Sequence, residues 1–170
     1  MDTVRKELLP GVWLTALRSG KFKTGCLSVT LLTQLDRETA AMNAVIPFVL
    51  RRGSRYRTDM QTLAVELDRL YGSRIEPRVR WVGEIQCIGL AASFPDDRCL
   101  PAGSSVFESV AQLCAELLLT PCTKGGLLLP DYVESEKEKL LERIRGRIND
   151  KRSYAVLRLL EQMCCYEAFA

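Results

Sequence analysis

Apolar and polar residues alternate from Val12 to Leu17 and again from Leu27 to Leu32. In the second run Leu27, Val29 and Leu31 share one face while Ser28 and Thr30 share the other, the period-two signature of a strand. Arg18 to Thr24 lies between the runs, contains Gly20 and reads as a turn, so the opening predicts two strands paired antiparallel. Over residues 37–50 the period changes: Ala41, Ala44, Val45, Phe48 and Val49 fall at helical spacing toward one stripe. Pro47 sits inside that stripe, where it removes a backbone hydrogen bond and is expected to kink the helix or end it early. Arg51, Arg52, Gly53 and Ser54 close the segment.

Thr58 and Gln61 have the spacing of a capping box, and Leu63, Leu67 and Leu70 form the stripe of the helix it opens, with Gly72 as its stop. Ile75, Pro77, Val79 and Trp81 then alternate with Arg74, Glu76, Arg78 and Arg80, so one face of this strand is apolar and the other charged. Gly83 marks a hairpin into a second strand from Glu84 to Phe94. From Gly103 a helical stripe returns in Val106, Val110, Leu113, Cys114, Leu117 and Leu118 and stops at Pro121. After a glycine-bearing loop, Tyr132 to Ile148 carries Val133, Leu140, Leu141, Ile144 and Ile148 on one side of a long, otherwise charged helix. Ser153 is the expected cap of a last helix through Leu157, Leu160 and Met163. The order ββα-α-ββ-α-α-α, with strands in hairpins and not in parallel crossovers, predicts an α+β fold, α/β in the broad sense: an antiparallel sheet with helices packed on one face.

Composition bounds the chemistry. A chain of 170 residues with 47% hydrophobic content suits one domain with a real core, and residues 1–170 are read as that single domain. No apolar run approaches a membrane span, and Asp2, Arg5, Lys6 and Glu7 stand where a signal peptide needs apolar residues, so no membrane role and a cytoplasmic location are expected. The seven cysteines are an odd count without a CxxC pair and are read as free thiols; Cys164 and Cys165, adjacent in a helix, would point about 100° apart. The net charge of +3 is local in origin, since residues 51–82 hold eight arginines against four acids. That excess lacks the interleaved aromatics or module of a nucleic-acid binder, and none is expected. Arg74, Arg78 and Arg80 are either the wet face of a sheet or a cationic wall facing acidic peptides or a partner chain.

The chain has no histidine. It therefore lacks the usual general base near neutral pH and the commonest zinc ligand, which excludes serine triads, Cys-His dyads and histidine-built metal sites within it.

Asn43-Ala-Val-Ile-Pro-Phe-Val-Leu-Arg-Arg-Gly-Ser54, followed after a short connector by Thr58-Asp-Met-Gln-Thr-Leu-Ala-Val-Glu-Leu-Asp-Arg-Leu-Tyr-Gly72, resembles the core of the insulinase (pitrilysin) metallopeptidase family. In that family a helix with the inverted zinc motif HxxEH runs into a basic-Gly-Thr/Ser turn, then a capped helix of the form ELDxLGG, then a strand. Aligning the Gly53-Ser54 turn places Ala44 and Phe48 at the two histidine positions and Pro47 at the catalytic glutamate. A methyl, a phenyl ring and a pyrrolidine cannot hold zinc or take a proton from its water. The family's third ligand lies in a stretch of the form ExEKxxLxE, matched by Glu134-Ser-Glu-Lys-Glu-Lys-Leu-Leu-Glu142 with Glu136 at the ligand position. One carboxylate is not expected to bind the metal alone. Where family enzymes carry Asn-Ala-x-Thr, this chain has Glu76-Pro77-Arg78-Val79.

The resemblance implies an amino-terminal half-domain, incomplete at its carboxyl end with at least one sheet edge unpaired, without cofactor, metal or catalytic residue of its own. It further implies a non-catalytic subunit or pseudoenzyme whose partner is an active HxxEH homologue and which helps that partner bind extended peptides. Two other readings stay open: an enzyme using a thiol or a carboxylate pair such as Asp96 and Asp97, and a plain interaction domain with this fold.

Overall fold

A computed structural model describes residues 2–101 and 104–166. The first two strands, β1 (Asp2–Leu9) and β2 (Val12–Arg18), pair with each other antiparallel, and β3 (Thr24–Gln34) follows. The expected pairing of Val12–Leu17 with Leu27–Leu32 is therefore corrected. Pro10 and Gly11 make the tight turn, Gly11 at φ 78° and donating its N–H to Glu7 Oε1 at 3.0 Å, and this short connection sets the register before Gly20 can act. The strand over Asp2–Leu9 carries no period-two signature, because Arg5, Lys6 and Glu7 interrupt any apolar alternation. The hairpin stands as its own two-stranded sheet with Val4, Leu8, Leu9, Trp13 and Leu17 exposed. Arg5 lies over the Trp13 ring, 4.7 Å from its centroid.

The main sheet joins β3, β4 (Arg74–Val82) and β5 (Ile85–Pro95) in the order β3-β5-β4, antiparallel throughout. β3 and β4 are its edges. β5 is the central strand, and at Gly89 its backbone passes so close to the Val29 carbonyl of β3 that a Cβ would collide with it. Alternation then decides the faces: Ile75, Leu90, Ala92 and Phe94 point inward, while Ser28, Thr30, Arg78 and Arg80 lie exposed on the other side.

Four long helices and one shorter follow the apolar stripes: α1 (Ala40–Leu50), α2 (Met60–Arg69), α3 (Val106–Leu119), α4 (Pro130–Gly146) and α5 (Lys151–Met163). The inner sheet face packs against Leu63 and Leu67 of α2 and Val106, Val110, Leu113, Cys114 and Leu117 of α3, and these residues form the core. Most lie under a tenth exposed, the condition under which each large side chain contributes about 1.5–3 kcal/mol. α1 covers the other end of the same face: Gln86 Nε2 donates to the Ala40 carbonyl at 2.8 Å, and Asn43 Nδ2 donates to Gln86 Oε1 at 3.2 Å. The architecture is thus mixed α and β, an antiparallel sheet with helices on one face.

Local details differ from expectation in three places. Pro47 neither ends nor shortens α1, which continues to Leu50, and the Arg51 N–H still reaches the Pro47 carbonyl at 3.2 Å; the proline is buried, so packing holds a helix that its missing N–H weakens. Asp59, not Thr58, caps α2: its carboxylate accepts from the Thr62 N–H at 2.7 Å and from Thr62 Oγ1 at 2.9 Å. Asp150, not Ser153, caps α5, with Ser153 as the donor. In both, the carboxylate directly before the first helical residue outcompetes a nearby hydroxyl for the free N–H groups. The helix expected from Gly103 begins at Val106, and residue 103 itself lies outside the described residues. The glycine-bearing loop forms a small hairpin of β6 (Thr123–Lys124) and β7 (Leu127–Leu128). Among the described residues no helix is long and apolar enough to cross a membrane.

Candidate functional site

The turn after α1 is held from several sides. Ser54 accepts the Tyr56 and Arg57 N–H groups on its Oγ, and its backbone bridges to Pro121. Arg55 N donates to the Thr120 carbonyl at 2.8 Å, Tyr132 Oη donates to the Thr58 carbonyl at 3.0 Å, and Arg57 pairs with Glu116 at the end of α3. Gly53 is needed because a Cβ there would strike the Arg57 carbonyl. These bonds fix where Arg51 and Arg52 point.

Arg52 extends from this turn to α4. Its Nη1 donates to Ser135 Oγ at 3.0 Å and to Glu136 Oε1 at 3.0 Å, and its guanidinium lies over the Tyr132 ring at 4.6 Å. Lys139 Nζ, one turn further along α4, donates to the same Glu136 oxygen at 2.7 Å. Glu136 is buried and these two cations are what make its charge tolerable there. Arg143, the next residue on that side of α4, sits over the Phe48 ring at 4.3 Å.

A cleft of about 380 Å³ opens beside this cluster, lined by Phe48, Arg51, Arg52, Met60, Glu76, Pro77, Glu136 and Lys139. Arg51 Nε donates to the Ile75 carbonyl at 2.6 Å, which ties α1 to the outer side of β4. A strand residue presents its N–H and C=O to the same side, so Ile75 and, two residues on, Pro77 turn their backbones toward the open edge. That edge is therefore already short of one acceptor and lacks one donor. A neighbouring hollow shares Arg51, Met60 and Glu76 and adds Arg74, so of the three arginines on β4 only Arg74 borders this region. Arg78 and Arg80 lie on the exposed sheet face.

The structure thus brings Phe48 and Glu136 to one cleft, with Ala44 one helical turn before Phe48 on the same side of α1 and Pro47 buried beneath. The residues at the motif positions do not fit a zinc ion: a methyl, a ring and a proline stand beside the Glu136 carboxylate, which already answers two cations. Among the described residues no three His, Cys, Asp or Glu side chains converge as metal ligands. Sequence reasoning missed Arg52, Lys139 and Arg143. The i, i+3, i+7 spacing of Glu136, Lys139 and Arg143 on one side of α4 was the signal available; the partner on α1 was not visible without the fold.

The remaining candidates stand apart. Asp96 accepts from the Arg98 N–H, Nε and Nη2, and the arginine holds its carboxyl well below the usual range, down to about 2. Asp97 Oδ1 instead accepts the Val106 N–H at 3.0 Å at the start of α3. The two carboxylates serve different partners and share no proton. Cys26, Cys99 and Cys165 are exposed, Cys122 and Cys164 half-buried, and Cys87 and Cys114 buried, all seven as free thiols. Burial pushes the Cys114 thiol up to about 11.

No protein-family model matches the chain. It is 31% identical over 160 residues to "Probable inactive metalloprotease YmfF" of Bacillus subtilis (strain 168), a match covering 94% of this chain and 38% of that protein. Its fold is that of a conserved protein from Enterococcus faecalis V583 solved by crystallography, with a TM-score of 0.84 and 24% identity over 95% of this chain and 38% of that one. The chain spans under two fifths of the length of either relative, and it is a homologue of a protein named as a probable inactive metalloprotease.

Proposed function

We propose that this chain is a non-catalytic, peptidase-like piece of an insulinase-type protein: a subunit or pseudoenzyme that pairs with an active HxxEH homologue and contributes to its peptide-binding chamber. The observation that carries the reading is the ion cluster at Glu136. Where the resemblance places a metal between α1 and α4, Arg52 and Lys139 hold the retained carboxylate, so the two helices stay joined while the means of activating water is gone. The name of the Bacillus subtilis relative, probable inactive metalloprotease, supports this reading.

The contribution to peptide binding comes from the cleft more than from strand addition. The edge of β4 offers an occupied Ile75 carbonyl and a proline without an N–H, whereas the cleft beside it is open and lined by both apolar and charged side chains. Titrating the chain into an active homologue should change cleavage of a fluorogenic peptide, in rate or in site preference. No complex by size exclusion and an unchanged cleavage pattern would sink the pairing.

A further inference from the structure

We propose that the cleft between α1, α4 and the β4 edge binds a carboxylate, that of a peptide's free chain end, an inference that rests on the peptide-binding reading above and names the chemistry it uses. Arg52 Nε is shielded from solvent and has no acceptor among the described residues, while its Nη1 is engaged by Ser135 and Glu136. That nitrogen is closed to solvent, so the donors an outside oxygen acceptor can reach in the cleft are those of Arg51 and Lys139. Arg51 donates only through Nε, to Ile75, so both of its Nη groups are without acceptors among the described residues. Lys139 keeps donors beyond the one aimed at Glu136. All three line the same cleft of about 380 Å³.

Charge sets the class of ligand. Arg51, Arg52 and Lys139 face Glu76 and Glu136, three cations against two carboxylates, which leaves one positive charge. A single carboxylate neutralises that excess, whereas a phosphate dianion would overshoot it. The planar guanidinium fork matches a carboxylate's two oxygens, and low local exposure strengthens the bond. Phe48, Met60 and Pro77 supply apolar walls beside the cations, so the fitting chain end has an apolar last residue.

The test uses the whole chain and fluorescence anisotropy with a labelled extended heptapeptide ending in leucine, as the free acid and as the amide. The acid should bind at least about tenfold tighter than the amide. Lys139→Met, at a half-exposed position, and Arg51→Gln, which retains a donor for the Ile75 carbonyl, should each reduce that preference several-fold while far-UV circular dichroism shows the fold intact. Equal affinity for acid and amide, or a preference unchanged in both variants, overturns the site. An amidated peptide with one internal glutamate separates the two sources of the group: binding as tight as the free acid overturns the chain-end assignment, and weak binding like the plain amide supports it. Because the readout needs no active homologue, failure here is distinguishable from failure of the pairing.

Discussion

Arg52 Nη1 lies 3.0 Å from Glu136 Oε1, joining the turn after α1 to the middle of α4 across 84 residues of sequence. The bond is between a partly buried guanidinium, 22% exposed, and a carboxylate only 8% exposed, so each charge depends on the other for its place in the fold. Removing the cation should therefore be worse than removing both. Arg52→Met is expected to lower stability by about 2–3 kcal/mol, with Lys139 sparing part of the loss, and Arg52→Met combined with Glu136→Leu should recover most of it. Urea unfolding of the two variants checks the order; a double variant as unstable as the single one would contradict it.

Capping by Asp59 makes a pH-dependent prediction. The Thr62 N–H and hydroxyl bonds hold the Asp59 carboxyl below its usual value. A carboxylate with a lowered folded-state pKa stabilises the fold above its unfolded-state pKa, and that contribution fades as pH falls through the folded-state value. Asp59→Ala should lower the melting temperature at pH 7 and lose its effect in acid, while Thr58→Ala should change it little at either pH. Equal effects of the two substitutions would return the cap to Thr58.

Gly89→Ala places a methyl against the Val29 carbonyl at the centre of the sheet. Neighbouring backbone cannot swing aside as a side chain can, and the change should destabilise by about 3 kcal/mol or prevent folding. Gly20→Ala, where a Cβ meets open space, serves as the control and should leave the urea midpoint close to that of the parent.

Thiol reactivity should follow burial. At pH 8 iodoacetamide is expected to label Cys26, Cys99 and Cys165 rapidly and to spare Cys114, whose thiol is pushed up to about 11, and the buried Cys87. Peptide mapping after timed alkylation reads this directly. A single half-buried cysteine, Cys122 or Cys164, reacting far faster than the exposed ones would revive a thiol enzyme.

Zinc should not be retained. After incubation with excess metal and dialysis, the chain is expected to hold far less than one equivalent, because the carboxylate at the matching position answers Arg52 and Lys139. One equivalent held tightly, measured by elemental analysis, would overturn the account of Glu136.

Much of this was legible along the chain. Period-two alternation located β2, β3 and β4, the turn at Gly83 located β5, and helical stripes located all five helices, since each rests on local sequence within one element or turn. The absence of histidine, a matter of composition alone, excludes histidine-built metal sites, serine triads and Cys-His dyads within this chain. Interactions between elements were another matter. β2 pairs with β1 and not β3, since register is set by the turn that closes soonest; Pro47 stays helical because its surroundings bury it; and the caps fall to Asp59 and Asp150, whose carboxylates compete better than nearby hydroxyls. The joining of Arg51 to Ile75, and of Arg52 to Glu136, belongs wholly to the tertiary structure. A local pattern records what one helix or strand hides from water, whereas a charge pair between distant elements leaves no periodic trace, because its two members meet only after the core has packed.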